Sequence, residues 1–230
     1  MLPSIATPEF ETTIPSSGQK IKFRPFLVKE EKILYFALES GEQNEMISAI
    51  KKIFENCILS EFNFDKLSYF DFEYIFLMLR AKSVGESIEL SLTHNVENCG
   101  HVNSLAINIE DIKMQTNENH NDKFMLNDNI GIKMKYPTID TMGMIQDQSS
   151  NSFDLVRNSI DFVYDNENVY DEFSDEEADA FLESLSKSQF EKITQFFETM
   201  PKLRHEVKYK CGKCNKEETV LLEGLQSFFT

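Results

Sequence analysis

The chain has 230 residues, 41% of them hydrophobic, which is typical of a folded protein with one sizeable core or two small ones. Its 39 acidic residues outnumber its 23 basic residues, and a surface with a formal net charge of −16 repels nucleic-acid phosphates and anionic lipid headgroups. No apolar run approaches the ~20 residues of a membrane span, and the N-terminus has no signal-peptide pattern. We therefore expect a cytosolic protein without nucleic-acid or membrane partners.

The first third of the chain predicts a β-hairpin followed by three helices. Two strand-like segments flank the turn signal Pro15–Gln19. Helical periodicity follows in three segments, of which the third is the most apolar, at Lys29–Ser40, Asn44–Ile58 and Asp71–Lys82. Gly41 supplies a C-terminal cap for the first helix, and Cys57 lies on the apolar stripe of the second, where we expect a buried side chain without a chemical role.

The middle of the chain predicts a second hairpin, a loop and a strand. Alternating runs within Glu86–Ile109 enter and leave a turn, as a β-hairpin does. Gln115–Asn129 is polar and has no periodicity, so we interpret it as a loop. Gly131–Pro137 alternates apolar and Lys residues and predicts a half-buried strand.

The last third predicts helices and then a final hairpin. Phe153–Tyr164 places Val156, Ile160 and Val163 on one side of a helix. Ser174–Glu177 and Ser186–Gln189 are capping boxes, so a helix is expected to begin at each. The acidic run between these helices is interpreted as a solvated surface, because it lacks the ligand spacing and mid-loop Gly of a calcium loop.

An aromatic stripe runs along the helix that follows Ser186. Such a stripe is usually part of a core, and the alternative is a surface that binds a partner protein. Under that alternative the partner-binding side chains include two at the C-terminus, and the set is Phe190, Phe196, Phe197, Phe228 and Phe229.

Cysteine and histidine residues at two turns predict a zinc site. Cys211 and Cys214 form a CxxC turn between two strand-like runs, and the Glu86–Ile109 hairpin offers His94 and Cys99 at its own turn. A tetrahedral zinc ion needs four ligands, so we predict His94, Cys99, Cys211 and Cys214. His101 remains an alternative to His94 as the fourth ligand.

The predicted zinc ion is structural and not catalytic. A thioredoxin-like redox pair would open a helix, whereas Thr219–Leu222 resumes a strand after the CxxC turn. A catalytic zinc ion keeps an open position, whereas these turns are rich in sulfur and supply four ligands. The sequence has neither a Gly-rich phosphate loop nor a nucleophile motif, so we predict no enzymatic activity and no small-molecule substrate.

These elements predict the α+β class, with a helical body and antiparallel hairpins, two of which form a zinc-ribbon-like pair. The predicted parts are an N-terminal hairpin with helices at 1–85, a β module at 86–136 and 203–223, and a helical segment at 140–202. We expect them to form one compact unit.

Three stretches of the chain resemble a known family. They are Ile14–Lys32, Leu79–Glu86 and the region from Phe196–His205 through Leu222–Leu225. Together they are similar to the baseplate hub assembly proteins of T-even-type contractile-tailed bacteriophages, and the likeness runs from about Ile5 to Phe229. The resemblance implies a component of the tail baseplate hub, or a factor that assembles it in the host cytoplasm, with other hub or tail proteins as partners. In this family the mid-chain pair of zinc ligands often looks like two Cys residues, and here His94 replaces one of them.

Two functions follow from the sequence. The first is a non-enzymatic baseplate hub or assembly protein with a structural zinc ion, present in the host cytoplasm during assembly, with the virion tail baseplate as a second location. The alternative is a zinc-ribbon module that binds nucleic acid. The total charge opposes the alternative. Basic residues around the CxxC turn Cys211–Cys214, which we call the knuckle, favour it, and they are Lys208, Lys210, Lys213 and Lys216.

Overall fold

The computed structural model describes residues 5–61, 63–96, 99–146, 152–224 and 227. Helices and short antiparallel sheets occur together, so the predicted α+β class is confirmed. The chain divides into two compact units. Unit 1 comprises Met1–Phe64, Phe70–Gln115 and Lys202–Thr230, and unit 2 comprises Asp65–Tyr69 and Thr116–Pro201.

The secondary-structure elements of the described residues are numbered in chain order. The strands are β1 (Phe10–Thr13), β2 (Lys20–Phe23), β3 (Ser87–Thr93), β4 (Val102–Asn108), β5 (Lys113–Gln115), β6 (Lys123–Met125), β7 (Gly131–Met134), β8 (Ile160–Tyr164), β9 (Val169–Tyr170), β10 (Lys202–Lys210) and β11 (Glu217–Glu223). The α-helices are α1 (Val28–Ser40), α2 (Gln43–Cys57), α3 (Tyr69–Ser83), α4 (Ile139–Gln146), α5 (Ser152–Asn158), α6 (Asp175–Glu183) and α7 (Lys187–Thr199).

The N-terminal elements of unit 1 follow the sequence prediction. β1 and β2 pair as an antiparallel hairpin, and α1, α2 and α3 follow within a few residues of their predicted bounds. α1 ends at Gly41, whose φ of 69° is the left-handed cap conformation that a residue without a Cβ adopts at little cost. Cys57 is buried, as expected, and burial raises the pKa of its thiol to about 11. It is therefore a hydrophobic core residue.

Two hairpins share one core with α3 in unit 1. β3 pairs with β4, and β10 pairs with β11 and with β5. The alternation of each strand turns apolar side chains inward, where they meet α3. The buried members of this core are Leu77, Ala81, Ile88, Leu90, Ile107, Ile109, Ile112, Leu203, Val207 and Leu222. This shared core fixes both hairpins and therefore positions their turns.

Unit 2 contains a four-stranded antiparallel sheet of order β6-β7-β8-β9. Two predictions in this region were wrong. Gln115–Asn129 is not entirely a loop, because Lys123–Met125 pairs with β7 as a strand. The predicted helix Phe153–Tyr164 ends at Asn158, and its second half is β8, which pairs with β7 on one side and β9 on the other.

A glycine in β7 allows close packing within this sheet. Gly131 lies opposite Tyr164 in β8, and a Cβ atom at Gly131 would overlap the Tyr164 ring. A side chain at position 131 would therefore require the Tyr164 ring to move.

The predicted capping boxes are confirmed. The Ser174 hydroxyl accepts a hydrogen bond from the Glu177 N–H at the start of α6, and Ser186 does the same for Gln189 at the start of α7. Both helices pack on the sheet of unit 2 through apolar faces that include Ala178, Leu182, Ile193 and Phe196.

Candidate metal centre

Strand ends in unit 1 present two of the predicted ligands. His94 directly follows β3, and Cys211 directly follows β10. Each extends the pairing of its hairpin by one backbone bond, since the His94 N–H donates to the His101 carbonyl at 2.8 Å and the Cys211 N–H donates to the Lys216 carbonyl at 2.9 Å. These two positions are therefore held by the ladders of their sheets.

The two turns present the other two predicted ligands in a repeated pattern. Cys99 is followed by Gly100 with φ 55°, and Cys214 is followed by Asn215 with φ 59°. Both residues adopt the left-handed conformation, which Gly and Asn tolerate better than other residues. Each hairpin thus places one ligand at a strand end and one in the turn, directly before a left-handed residue.

The structure brings the four predicted ligands into one cluster. One ligand atom from each of His94, Cys99, Cys211 and Cys214 lies within 4.8 Å of the others, so this cluster could hold a metal ion. The sulfur atoms of Cys99 and Cys211 are 3.6 Å apart, and the Cys214 sulfur is 3.5 Å from Nδ1 of His94.

These separations fit the donor set of a tetrahedral zinc site. With Zn–S distances of about 2.3 Å and Zn–N distances of about 2.1 Å, two sulfur ligands lie about 3.8 Å apart and a sulfur and a nitrogen about 3.6 Å apart. The Cys99–Cys211 and Cys214–His94 distances agree with these values to within about 0.2 Å, and the remaining ligand atoms lie within 4.8 Å of one another.

Burial differs among the four residues. His94 is 1% exposed and Cys211 is fully buried, whereas Cys99 is partly buried and Cys214 is exposed. The strand-end ligands therefore lie against the core, and the turn ligands lie toward solvent. An ion at this cluster would enter from the side of the turns.

Polar contacts join the two hairpins around the cluster. The Asn103 side chain of β4 accepts a hydrogen bond from the Gly212 N–H at 2.9 Å and directs its NH₂ group toward the Cys211 sulfur at 3.9 Å. The Lys213 ammonium donates to the Cys99 carbonyl at 2.9 Å. Asn103 was not predictable from the sequence, because a single Asn in a strand carries no recognisable signal.

A carboxylate orients the histidine of the cluster. Nε2 of His94 is 3.3 Å from an oxygen of Glu218, so Nδ1 is the nitrogen that faces Cys214. The same Glu218 oxygen accepts a hydrogen bond from the Tyr209 hydroxyl at 2.7 Å. Burial and this bond raise the pKa of Tyr209 to about 12. In metal sites, a His ligand commonly has a carboxylate next to the ring nitrogen that does not bind the metal.

The cysteine thiols differ in acidity. Burial raises the pKa of Cys211, but hydrogen bonds from the backbone N–H groups of Cys214 and Lys213 and from the Cys99 thiol outweigh it, so the pKa falls well below its ordinary value. The pKa of Cys99 is raised, because burial and the neighbouring Cys211 and Cys214 sulfurs outweigh a backbone hydrogen bond at His101. Cys211 therefore ionises before Cys99, and a thiolate is the form that binds metal.

Other candidate residues lie outside the cluster. A Cβ atom at Gly212 would lie 3.2 Å from Nε2 of His101, so His101 is beside the knuckle backbone, and it is His94 that groups with the cysteines. The aromatic stripe of α7 packs on the core of unit 2, where Phe196 is 2% exposed and Phe190 and Phe197 are half-buried. Phe228 and Phe229 lie outside the described residues.

The amino-acid sequence matches a known protein-family model over almost its whole length. A family model described as T4 bacteriophage base plate protein matches residues 7–230. The chain belongs to this family. Searches of curated proteins and of solved structures returned no significant match.

Membership of the T4 bacteriophage base plate family establishes the broad role of the chain. Proteins of this family are structural parts of a phage tail and are usually not enzymes, and membership implies contact with other tail proteins and a place in the virion tail. Within the described residues, no helix is both long enough and apolar enough to cross a membrane.

Proposed function

We propose that this base plate protein acts in the hub of the tail baseplate, as a hub component or as a factor that assembles the hub in the host cytoplasm. The match to the base plate family over residues 7–230 is the observation that carries this proposal. The resemblance of three segments of the chain to hub assembly proteins narrows it to the hub.

A structural zinc ion is the second part of the proposal. Three sulfur atoms and one imidazole nitrogen form a donor set that zinc prefers, and the Cys99–Cys211 and Cys214–His94 distances match those of tetrahedral coordination. Four protein ligands would fill the coordination shell, so the ion would have no open position for a substrate. Its role would be to link the β3–β4 hairpin to the β10–β11 hairpin.

Exposed apolar side chains on α1 support a role in protein contacts. Val28, Tyr35 and Phe36 are 66%, 58% and 67% exposed. Large apolar side chains grouped on one solvent-facing surface are typical of protein interfaces. A protein that functions by assembly has a use for such a surface.

Nucleic-acid binding through the knuckle is the alternative function, and it has weaker support. Of the four Lys residues around the knuckle, Lys213 already donates to the Cys99 carbonyl. The net charge of −16 opposes approach to a phosphate backbone. A binding assay with duplex DNA at moderate salt tests this alternative, and tight binding would reverse the ranking of the two functions.

The hub role is tested with phage that encode an affinity-tagged copy of this protein. Hub intermediates from infected cells and purified virions are separated by sedimentation, and their proteins are quantified by mass spectrometry. We expect the tagged protein to sediment with hub proteins. Recovery only as a free protein, or only with outer parts of the baseplate, would contradict the hub assignment.

A further inference from the structure

Unit 2 contains a groove that shares no lining residue with the candidate metal centre. Its volume is about 330 Å³, and it lies beside β8, β9 and α6. Aliphatic and aromatic side chains form most of its wall, among them Ile160, Val163, Tyr170, Phe173, Ala178 and Phe181. Such a surface binds apolar side chains and excludes water from them.

The outer wall of this groove is accessible. Tyr170 is 48% exposed, and its neighbour Val169 is 60% exposed. Both belong to β9, the last strand in the order of the four-stranded sheet, and pair only with β8 among the described strands. A partner segment can therefore reach the groove without any rearrangement of the sheet.

Carboxylates predominate beside the groove, and one cation is also close, because the Lys123 ammonium lies 4.5 Å from the ring centroid of the lining residue Tyr164. Asp165 and Glu177 are among the lining residues. The segment 158–186, which supplies most of the wall, contains ten carboxylates and neither Lys, Arg nor His, and one of the ten, Asp179, pairs with Arg157 just before the segment. The N–H groups of Glu167 and Asn168 donate to the Asp165 carboxylate and lower its pKa, so this charge persists at neutral pH.

We propose that the groove binds a segment of a partner protein that presents an aromatic or aliphatic side chain flanked by Lys or Arg residues. The apolar wall accepts the side chain, and the acidic surround attracts the flanking cations. A second copy of the chain is disfavoured, because it would bring a second acidic surface against the first. The inference rests on the proposed assembly role and names a surface for it, but it does not depend on the metal ion.

Three labelled peptides test this inference with the full chain by fluorescence anisotropy. The first peptide has Phe residues among Lys residues, the second replaces each Phe by Ser, and the third replaces each Lys by Glu. We expect measurable binding of the first peptide only, and we expect that binding to weaken as salt rises.

Variants locate the binding site. Tyr170→Ser removes an exposed wall residue and is expected to weaken binding by about tenfold, whereas Tyr170→Phe keeps the ring and is expected to bind as the wild type does. Asp171→Lys with Glu172→Lys reverses the charge beside the groove and is expected to weaken binding by about tenfold at low salt. Glu39→Lys with Glu42→Lys makes the same change in net charge in unit 1 and is the matched control.

The peptide and variant measurements either support or overturn the proposed binding role of the groove. The inference is supported if the Phe and Lys peptide binds alone and only the groove variants weaken it. It is overturned if no peptide binds, if the Ser peptide binds equally well, if the control variant has the same effect, or if sedimentation shows that Tyr170 instead mediates a dimer. A negative result together with normal incorporation into hubs would remove the groove assignment and leave the proposed function intact.

Discussion

At the scale of single residues, His94 connects the cluster of candidate metal ligands to the β10–β11 hairpin. Its Nδ1 faces the Cys214 sulfur, and its Nε2 faces Glu218, which in turn holds Tyr209. The four clustered residues were predictable because Cys and His residues beside two hairpin turns form a rare and distinctive pattern. Glu218 was not predictable, since it is one of many acidic residues and only the register of β10 and β11 places it opposite Tyr209.

Glu218→Ala is expected to weaken metal binding. The substitution removes the carboxylate that lies 3.3 Å from Nε2 of His94, and loss of such an outer-shell partner typically costs about 10–100-fold in metal affinity. Competition with a chromophoric chelator measures the change. Glu217→Ala, next in sequence and exposed, is the control and should retain the wild-type affinity. Equal affinities in the two variants would show that Glu218 does not orient His94.

His120 is a half-buried histidine whose surroundings favour the neutral form of its ring. Nδ1 lies 3.0 Å from the Thr199 hydroxyl, Nε2 lies 3.0 Å from the Tyr136 hydroxyl, and the ring packs on Phe196. Burial lowers the pKa of His120 below its ordinary value of 6.5, against a smaller opposing effect of Asp122. The folded protein therefore favours the neutral ring.

The stability of unit 2 is expected to depend on the protonation of His120. Because the folded pKa is lower than the unfolded pKa, the contribution is fully present above about pH 6.5 and is lost as pH falls through the folded pKa. Urea unfolding of the wild type and of His120→Gln at pH 7.5 and below pH 6 measures it. The wild type should lose more stability on acidification than the variant, and parallel losses would refute the role of this histidine.

At the scale of secondary-structure elements, local signals predicted well where they were sufficient by themselves. The capping boxes at Ser174 and Ser186 and the cap at Gly41 fixed helix ends to within a residue. Phe153–Tyr164 was misassigned because Val156, Ile160 and Val163 also fit helical spacing. The pairing of β8 with both β7 and β9 decides the structure there, and the pairing with the distant β7 leaves no mark in local periodicity.

Phe196→Ala tests the assignment of the α7 stripe to the core. Phe196 is almost fully buried, so its truncation is expected to lower the free energy of unfolding by about 3–5 kcal/mol. Phe197 is half-buried, and its replacement by Ala should cost clearly less. Urea denaturation measures both variants. Unchanged stability with a loss of hub assembly would instead identify Phe196 as a partner contact.

Cys214→Ser tests whether the metal centre joins the two hairpins. Loss of the ligand is expected to release the ion and to increase amide hydrogen exchange in both β3–β4 and β10–β11, because the ion would connect residues 112 positions apart. Cys57→Ser changes a cysteine outside the cluster and is expected to leave the metal content unchanged. Faster exchange in β10–β11 alone would argue against a link between the hairpins.

At the scale of the whole molecule, the chain is a base plate protein whose mid-chain hairpin and C-terminal hairpin meet at one cluster. The sequence predicted the α+β class, the four clustered residues and the family, because each depends on distinctive residues or on local patterning. In the sheet of unit 2 only β7 was predicted, and β6, β8 and β9 and the groove beside them were not, since they lie in segments that look like a loop and a helix in isolation.

Metal analysis combined with X-ray absorption spectroscopy tests the zinc assignment most directly. The protein is purified without chelators from cells grown with zinc. We expect one zinc ion per chain, with three sulfur neighbours at about 2.3 Å and one nitrogen neighbour at about 2.1 Å. A protein that folds without stoichiometric metal, or a metal shell without sulfur, would contradict the account.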